Sequence, residues 1–197
     1  MKSSEIEAEL GMTYKELVDY LLEKYGPSEH DYFANESCKS KNKKAVRSSE
    51  GLICHHIDED KAIMLSDPRF AVGSPFEYQK ASRLVYCNIL EHLILHIKIA
   101  GESNEKTIGT GIGGAVAFIC PELNDYYNGF DFKREYQRKS HELVAGNFDD
   151  YIKVLRYFLD VAEKNIHLVL SVTPERLSRG SDGQIIEKTY KALTAVV

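Results

Sequence analysis

The chain has 197 residues, of which 43% are hydrophobic and 28% are charged, and this composition excludes a disordered, collagen-like or disulfide-scaffold protein. The 25 lysines and arginines and 30 aspartates and glutamates give a formal net charge of −5, which excludes a uniformly basic nucleic-acid coat. The four cysteines form no C-x-x-C pair, which argues against a zinc ribbon. The sequence shows no signal peptide and no uninterrupted apolar span. We therefore expect a reduced, globular, cytoplasmic protein that does not enter a membrane.

Three elements are predicted in the first half of the chain. A helix follows Thr13, which forms a capping-box pattern with Glu16, and this helix stops at Gly26. Residues 51–65 contain two short apolar runs on either side of an acidic turn, and this pattern predicts a β-hairpin. A strong and mostly apolar helix is predicted over roughly residues 82–100.

The second half of the chain is predicted to be helical. The Gly-rich segment that starts at Thr107 predicts a short apolar helix ending before Pro121. Further helices are predicted within residues 131–147, within residues 148–165 and near residues 181–195.

The predicted fold class is α+β and predominantly helical. A hairpin packs on a long helix, with an N-terminal helix on one side and a C-terminal helical bundle on the other. A polar break that begins at Gly101 divides the chain into a part at 1–100 and a helical part at 101–197.

Four of the seven histidines form two close pairs. His55 and His56 are adjacent at the end of the first predicted strand, and His92 and His96 are four residues apart on the predicted helix. That helical spacing places two imidazoles on one face, about 6 Å apart, where they can bind one metal ion. Asn88 extends the same polar stripe on a helix that is otherwise apolar. The alternative interpretation is a set of core histidines that bond to the backbone, or a strip that faces solvent.

Two segments, CHHIDED at 54–60 and RLVYCNILEHLILH at 83–96, resemble the HNH endonucleases, also called ββα-metal or His-Me finger nucleases. The resemblance covers residues 51–97 and implies a hairpin–helix core that binds one divalent metal ion. It also implies a role for each histidine. The metal ligands are His55, His92 and His96, and the general base that deprotonates the attacking water is His56.

The sequence departs from the family pattern at two positions. The family's middle Asn lies nine residues before the helical His, a place that Arg83 holds here, and Asn88 is the alternative match. Arg83 is interpreted either as a contact to the scissile phosphate or as an ordinary surface arginine. Glu59 replaces a Pro that is often found after the histidine doublet, and Glu91 is either a partner of His92 or a solvated charge.

A cationic run precedes the predicted hairpin. Residues 39–47 contain five cations and no acid, so the rest of the chain carries about −10. The cations are Lys39, Lys41, Lys43, Lys44 and Arg47. We expect this run to contact nucleic-acid phosphates without reading sequence. A solvated loop is the alternative.

Together these features predict a metal-dependent HNH-like endonuclease that hydrolyses DNA, with RNA a less favoured substrate. A set of imidazole ligands suits Zn, Ni, Co or Mn better than Mg, and the identity of the ion stays open. One alternative is a degenerate HNH scaffold that binds nucleic acid or protein without cutting. Another is a structural domain with a metal or buried histidines and no nucleic-acid role. The oligomeric state is open, a homodimer included.

Overall fold

The structure, a computed structural model, describes residues 3–103, 107 and 109–195 of the chain. Two helices come first, α1 at Ser3–Gly11 and α2 at Tyr14–Tyr25. The capping box of Thr13 and Glu16 is formed at the start of α2, and Gly26 ends that helix at a φ of 78°. The prediction for α2 is confirmed, whereas α1 was not predicted.

The described residues form one antiparallel sheet of two strands, β1 at Ile53–His56 and β2 at Leu84–Cys87. The register pairs His55 with Val85 and His56 with Leu84. The long connection between the strands contains the short helix α3 at Pro68–Ala71. It also contains three 3₁₀ turns, at Ile57–Asp60, Phe76–Gln79 and Ala81–Arg83.

The predicted hairpin at 51–65 is therefore wrong, because its second apolar run does not pair with the first. Met64 adopts a φ of 58°, a left-handed conformation that interrupts a strand, and Ile63 is exposed. The partner of β1 is β2, which lies inside the segment predicted as a helix over 82–100. That helix, α4, begins only at Ile89 and runs to Glu102.

The remaining elements are helical. They are α5 at Ile112–Gly114, a π-helical segment at Ala115–Ile119, α6 at Cys120–Tyr127, α7 at Glu135–Glu142, α8 at Phe148–Glu163, α9 at Pro174–Leu177 and α10 at Glu187–Thr194. The prediction of a helix ending before Pro121 is wrong, because that proline lies in the first turn of α6. At this position, directly after the π segment, its missing N–H is tolerated. The last helix starts six residues later than predicted, since Arg179 and Ile185 form a β-bridge before it.

The core is built around α4. Eleven of its fourteen residues are buried, as its apolar sequence predicts, and α2, α8, α1 and the π segment pack against it. One cluster of buried side chains extends from Ile6 to Leu193 and so draws on both halves of the chain. The division near residue 101 stays a prediction. Within the described residues, no helix is both long enough and apolar enough to cross a membrane.

Candidate metal centre

The histidine doublet lies at the end of β1, where the chain turns sharply. Alternation along the strand directs His55 towards α2 and α4, and directs His56 towards Tyr32, whose ring centroid is 4.4 Å from the imidazole. The 3₁₀ turn that follows returns Glu59 to both imidazoles. The Nδ1 atom of His55 lies 3.7 Å from Glu59 Oε2, and the Nδ1 atom of His56 lies 3.9 Å from Glu59 Oε1.

Helix α4 supplies the other two imidazoles. The Nε2 atoms of His92 and His96 are 3.1 Å apart, and the ring centroid of His55 lies 5.3 Å from each of the two. One nitrogen from each of these three histidines falls within 4.8 Å of the other two. The structure thus brings together the three histidines that the resemblance implies as metal ligands.

Hydrogen bonds fix which nitrogen of His55 and His96 stays free. The Tyr14 hydroxyl donates its one proton to the Ile57 carbonyl at 2.8 Å, so His55 Nε2 must donate to that hydroxyl at 3.0 Å. His96 Nδ1 donates to the Gly111 carbonyl at 3.1 Å. The lone pairs are therefore on His55 Nδ1 and His96 Nε2, which lie 3.7 Å and 3.3 Å from Glu59 Oε2.

The donor set fits a divalent transition-metal ion. His55 Nδ1 is buried and has no hydrogen-bond partner among the described residues, a situation that costs free energy unless a cation is bound. Two nitrogens at about 2.0–2.1 Å from one ion lie about 2.9–3.4 Å apart, and the 3.1 Å between His92 and His96 is in this range. Imidazoles bound through a backbone carbonyl or a hydroxyl are typical of metal ligands.

Burial controls the charge of these side chains. It lowers the pKa of His55 and His92 well below the ordinary value, helped by the neighbouring imidazoles, and it lowers the pKa of His96 to about 4. All three imidazoles are therefore neutral near pH 7, which is the form that binds metal ions. Burial also raises the pKa of Glu59 to about 8.

His56 has a fixed tautomer as well. The Gln79 amide nitrogen donates to the Leu65 carbonyl at 3.1 Å, so its oxygen faces His56 Nε2 at 2.8 Å and accepts a hydrogen bond from it. The lone pair is then on His56 Nδ1, which is buried and has no hydrogen-bond partner among the described residues. Burial lowers the pKa of His56 to about 4.

Sequence reasoning missed both Glu59 and Gln79 as members of this site. In the sequence, Glu59 belongs to an acidic turn and departs from the HNH pattern, although its place three residues after the doublet is a usable signal. Gln79 is 23 residues from His56 in the chain and belongs to no motif, so only the folded connection between β1 and β2 reveals it.

Arg83 lies in an ion pair on the neighbouring turn. Its Nε donates to Asp58 Oδ2 at 2.6 Å and a second nitrogen contacts Oδ1, while Lys61 holds the same carboxylate at 2.7 Å. The Asp58 side chain is almost completely buried. One edge of the guanidinium is thus used to anchor the turn that carries Glu59, and this favours a positioning role over a contact to phosphate.

Asn88 is the N-cap of α4 rather than a residue inside the helix. Its side-chain oxygen accepts hydrogen bonds from Leu90 N and Glu91 N. Asn88 therefore has a structural role in starting α4. Glu91 closes the capping box and bonds Lys24 Nζ at 2.7 Å. Glu91 is fully buried, so its interpretation as a solvated charge is wrong, and its carboxylate bonds Lys24, Tyr25 and Asn88 N.

The cationic run lies beside the His56 side of the site. Lys41 Nζ bonds the Tyr32 hydroxyl at 3.1 Å, and the Tyr32 ring packs on His56. Lys39, Lys43 and Lys44 are exposed. Arg47 is only partly exposed, and its guanidinium pairs with Glu50 and donates to the Tyr25 carbonyl at the end of α2.

A cavity of about 570 Å³ opens onto the imidazoles of His92 and His96. Glycines of the Gly-rich segment form one of its walls, and Phe118 and Tyr136, both exposed, lie at its edge. The Gly-rich segment therefore helps to build this cavity. Comparisons with protein-family models, with curated proteins and with solved structures found no match to this chain.

Proposed function

We propose that this chain is a metal-dependent nuclease of the HNH type, which hydrolyses phosphodiester bonds in DNA. The observation that carries the proposal is the arrangement of lone pairs around the end of β1. His55 Nδ1 and His96 Nε2 carry lone pairs within 3.7 Å of Glu59 Oε2, and His92 Nε2 lies 3.1 Å from His96 Nε2. The unpartnered Nδ1 of His56 lies 3.9 Å from the other oxygen of Glu59. The order β1, β2, α4 agrees with the order of elements in the ββα-metal core.

Three of the histidines would bind the metal ion, and the fourth would transfer the proton. A divalent ion held by His55, His92 and His96 would stabilise the negative charge that develops on the phosphate and on the leaving oxygen. His56 would accept the proton of the attacking water at Nδ1. Gln79 would hold His56 in the required tautomer and accept the Nε2–H of the imidazolium that results.

The surroundings of the site suit a polyanionic substrate. The exposed lysines at 39, 43 and 44 lie in the same segment as Lys41. Lys41 bonds the hydroxyl of Tyr32, whose ring packs on His56. Because exposed lysines contact phosphates without reading bases, they would hold a duplex in place without selecting its sequence. Exposed Phe118 and Tyr136 at the cavity edge offer flat faces to an unstacked base.

Incubation of supercoiled plasmid with the protein and with Mn²⁺, Co²⁺, Ni²⁺, Zn²⁺ or Mg²⁺ tests this proposal. We expect nicked or linear product with at least one transition-metal ion and none with excess chelator. His56→Ala is the matched variant, because it removes the base and leaves all three ligands in place. Binding of DNA without cleavage under every metal condition would instead support the degenerate binding scaffold.

A further inference from the structure

Glu59 is an acidic side chain in the middle of an imidazole cluster. Its Oε2 lies 3.3 Å from His96 Nε2 and 3.7 Å from His55 Nδ1. The first of these distances is close to the 3.1 Å that separates the Nε2 atoms of His92 and His96. The carboxylate oxygen is thus about as near to His96 Nε2 as His92 Nε2 is.

The partners of Glu59 differ from those of other buried carboxylates in this region. Asp58 is held by Arg83 and Lys61, and Glu91 is held by Lys24. Within the part of the chain that the structure describes, the basic groups within 4 Å of the Glu59 carboxylate are imidazoles only, although its side chain is only 14% exposed. Burial of a carboxylate is costly without a cation, and neutral imidazoles do not provide one.

We propose that Glu59 Oε2 is a fourth, anionic ligand of the ion, so that the centre is a three-histidine, one-carboxylate site. This inference rests on the proposed metal centre and adds a ligand to it. A carboxylate neutralises half of the charge of a divalent ion in a buried site. It also widens the range of acceptable ions towards Mn²⁺ and Co²⁺, since these ions combine oxygen with nitrogen ligands.

The second oxygen of Glu59 gives the same side chain a link to the base. Oε1 lies 3.9 Å from His56 Nδ1, so the carboxylate spans the space between the ion position and the base. The 3₁₀ turn at Ile57–Asp60 sets this position, and the ion pair of Asp58 with Arg83 anchors the turn. The anchored turn therefore positions Glu59 at the end of β1.

Titration of the full chain with Co²⁺, followed by calorimetry and by the visible absorption of the bound ion, tests the proposal without any nuclease assay. Glu59→Gln keeps the shape of the side chain and removes its charge, and Glu59→Asp keeps the charge and shortens its reach. Both variants should bind Co²⁺ about 10- to 100-fold more weakly than the wild type, with a changed absorption spectrum. Glu77→Gln, at an exposed carboxylate of the same connection, should bind like the wild type.

The outcomes separate this inference from the proposed function. Wild-type binding together with equal or tighter binding by both Glu59 variants overturns the fourth ligand and leaves the three-histidine centre standing. No binding of Co²⁺, Mn²⁺ or Zn²⁺ by the wild type overturns the metal centre itself, and with it both proposals. Thermal unfolding in excess chelator shows that the variants fold, because Glu59→Gln should then be at least as stable as the wild type.

Discussion

Three histidines of the site, His55, His56 and His96, each have one nitrogen that donates to a named acceptor, so the lone pair lies on the other nitrogen. His55 is fixed by Tyr14 and His96 by the Gly111 carbonyl. His56 is fixed by Gln79, which is itself oriented by the Leu65 carbonyl. Under the proposed function, a side chain far away in the sequence would supply the orientation that the HNH pattern obtains from its middle Asn.

Gln79→Leu should slow DNA cleavage under saturating substrate by about 10- to 100-fold. The change leaves His56 Nε2–H without its acceptor, so the imidazole loses its fixed tautomer, while the three proposed metal ligands are untouched. KM and metal affinity should therefore stay near their wild-type values. Gln79→Glu retains an acceptor oxygen and should restore part of the rate. A loss of metal affinity in both variants would assign Gln79 a purely structural role.

Glu9 on α1 gives a pH-dependent prediction away from the site. Burial, together with the charge of Glu91, raises the pKa of Glu9 from 4.5 to about 8. Because the folded state binds this proton more tightly than the unfolded chain, the free energy of unfolding falls as the pH rises through this interval. Glu9→Gln should remove that loss and stabilise the protein by on the order of 2 kcal/mol above about pH 8.

Urea unfolding of the Glu9→Gln variant at about pH 5 and at about pH 8.5 checks this expectation. The advantage over the wild type should be larger at the higher pH. Glu7→Gln, at an exposed carboxylate of the same helix, is the control and should show no such pH dependence. An equal effect of Glu9→Gln at both pH values would contradict the assigned pKa.

At the scale of elements, the Gly-rich segment acts as a close-fitting support for His96. A Cβ atom on Gly114 would lie 2.3 Å from a carbon of the His96 ring, and one on Gly111 would lie 2.4 Å from the His96 carbonyl oxygen. Gly111 also has a φ of 75°, which other residues rarely adopt. Glycine is required here because the backbone packs directly on His96.

Gly114→Ala should weaken binding of Zn²⁺ or Co²⁺ by about tenfold or more, because the added methyl group displaces the His96 ring. Overpacking of this kind also destabilises a fold by about 1–3 kcal/mol. Gly113→Ala is the matched control, since its Cβ would meet nothing within 4 Å. Calorimetric titration of both variants checks the prediction, and equal affinities would show that this support does not position the ligand.

The sequence was a good guide to local elements and a poor guide to pairing between distant segments. The capping box before α2 and the spacing of His92 and His96 are local signals, and both gave correct placements. The partner of β1 could not be predicted, because the apolar run at 62–65 and the run at 84–87 read alike. The capping box of Asn88 and Glu91 is a local signal that α4 starts at Ile89, whereas no sequence pattern marks the left-handed conformation of Met64.

At the scale of the whole molecule, a net positive charge is concentrated in one segment of an acidic chain. The cationic run at 39–47 lies in a chain whose other residues carry a net charge of about −10. Its Lys41 bonds Tyr32, which packs on the proposed base His56. An acidic molecule with one cationic segment should orient an anionic duplex as well as bind it. The core, in contrast, draws on both halves of the chain, from Ile6 to Leu193.

The combined replacement of Lys41, Lys43 and Lys44 by Ala should weaken binding to unrelated DNA sequences about equally. It should also flatten the dependence of log affinity on log salt by nearly one unit for each lost phosphate contact. A control of equal charge change replaces Lys15, Lys164 and Lys191, three exposed lysines elsewhere. Fluorescence anisotropy over a salt series measures both slopes, and an unchanged slope in the first variant would remove the run from the DNA interface.

The most direct test of the account is a calorimetric metal titration of the wild type and of the four histidine-to-alanine variants, beside a plasmid-cleavage assay. We predict one ion per wild-type chain and reduced affinity for the variants of His55, His92 and His96, which should also lose the stabilisation that the ion confers. His56→Ala should bind the ion normally and cleave about 10²- to 10⁴-fold more slowly. Loss of the ion by His56→Ala with its retention by His55→Ala, or wild-type affinity in all four variants, would contradict the account.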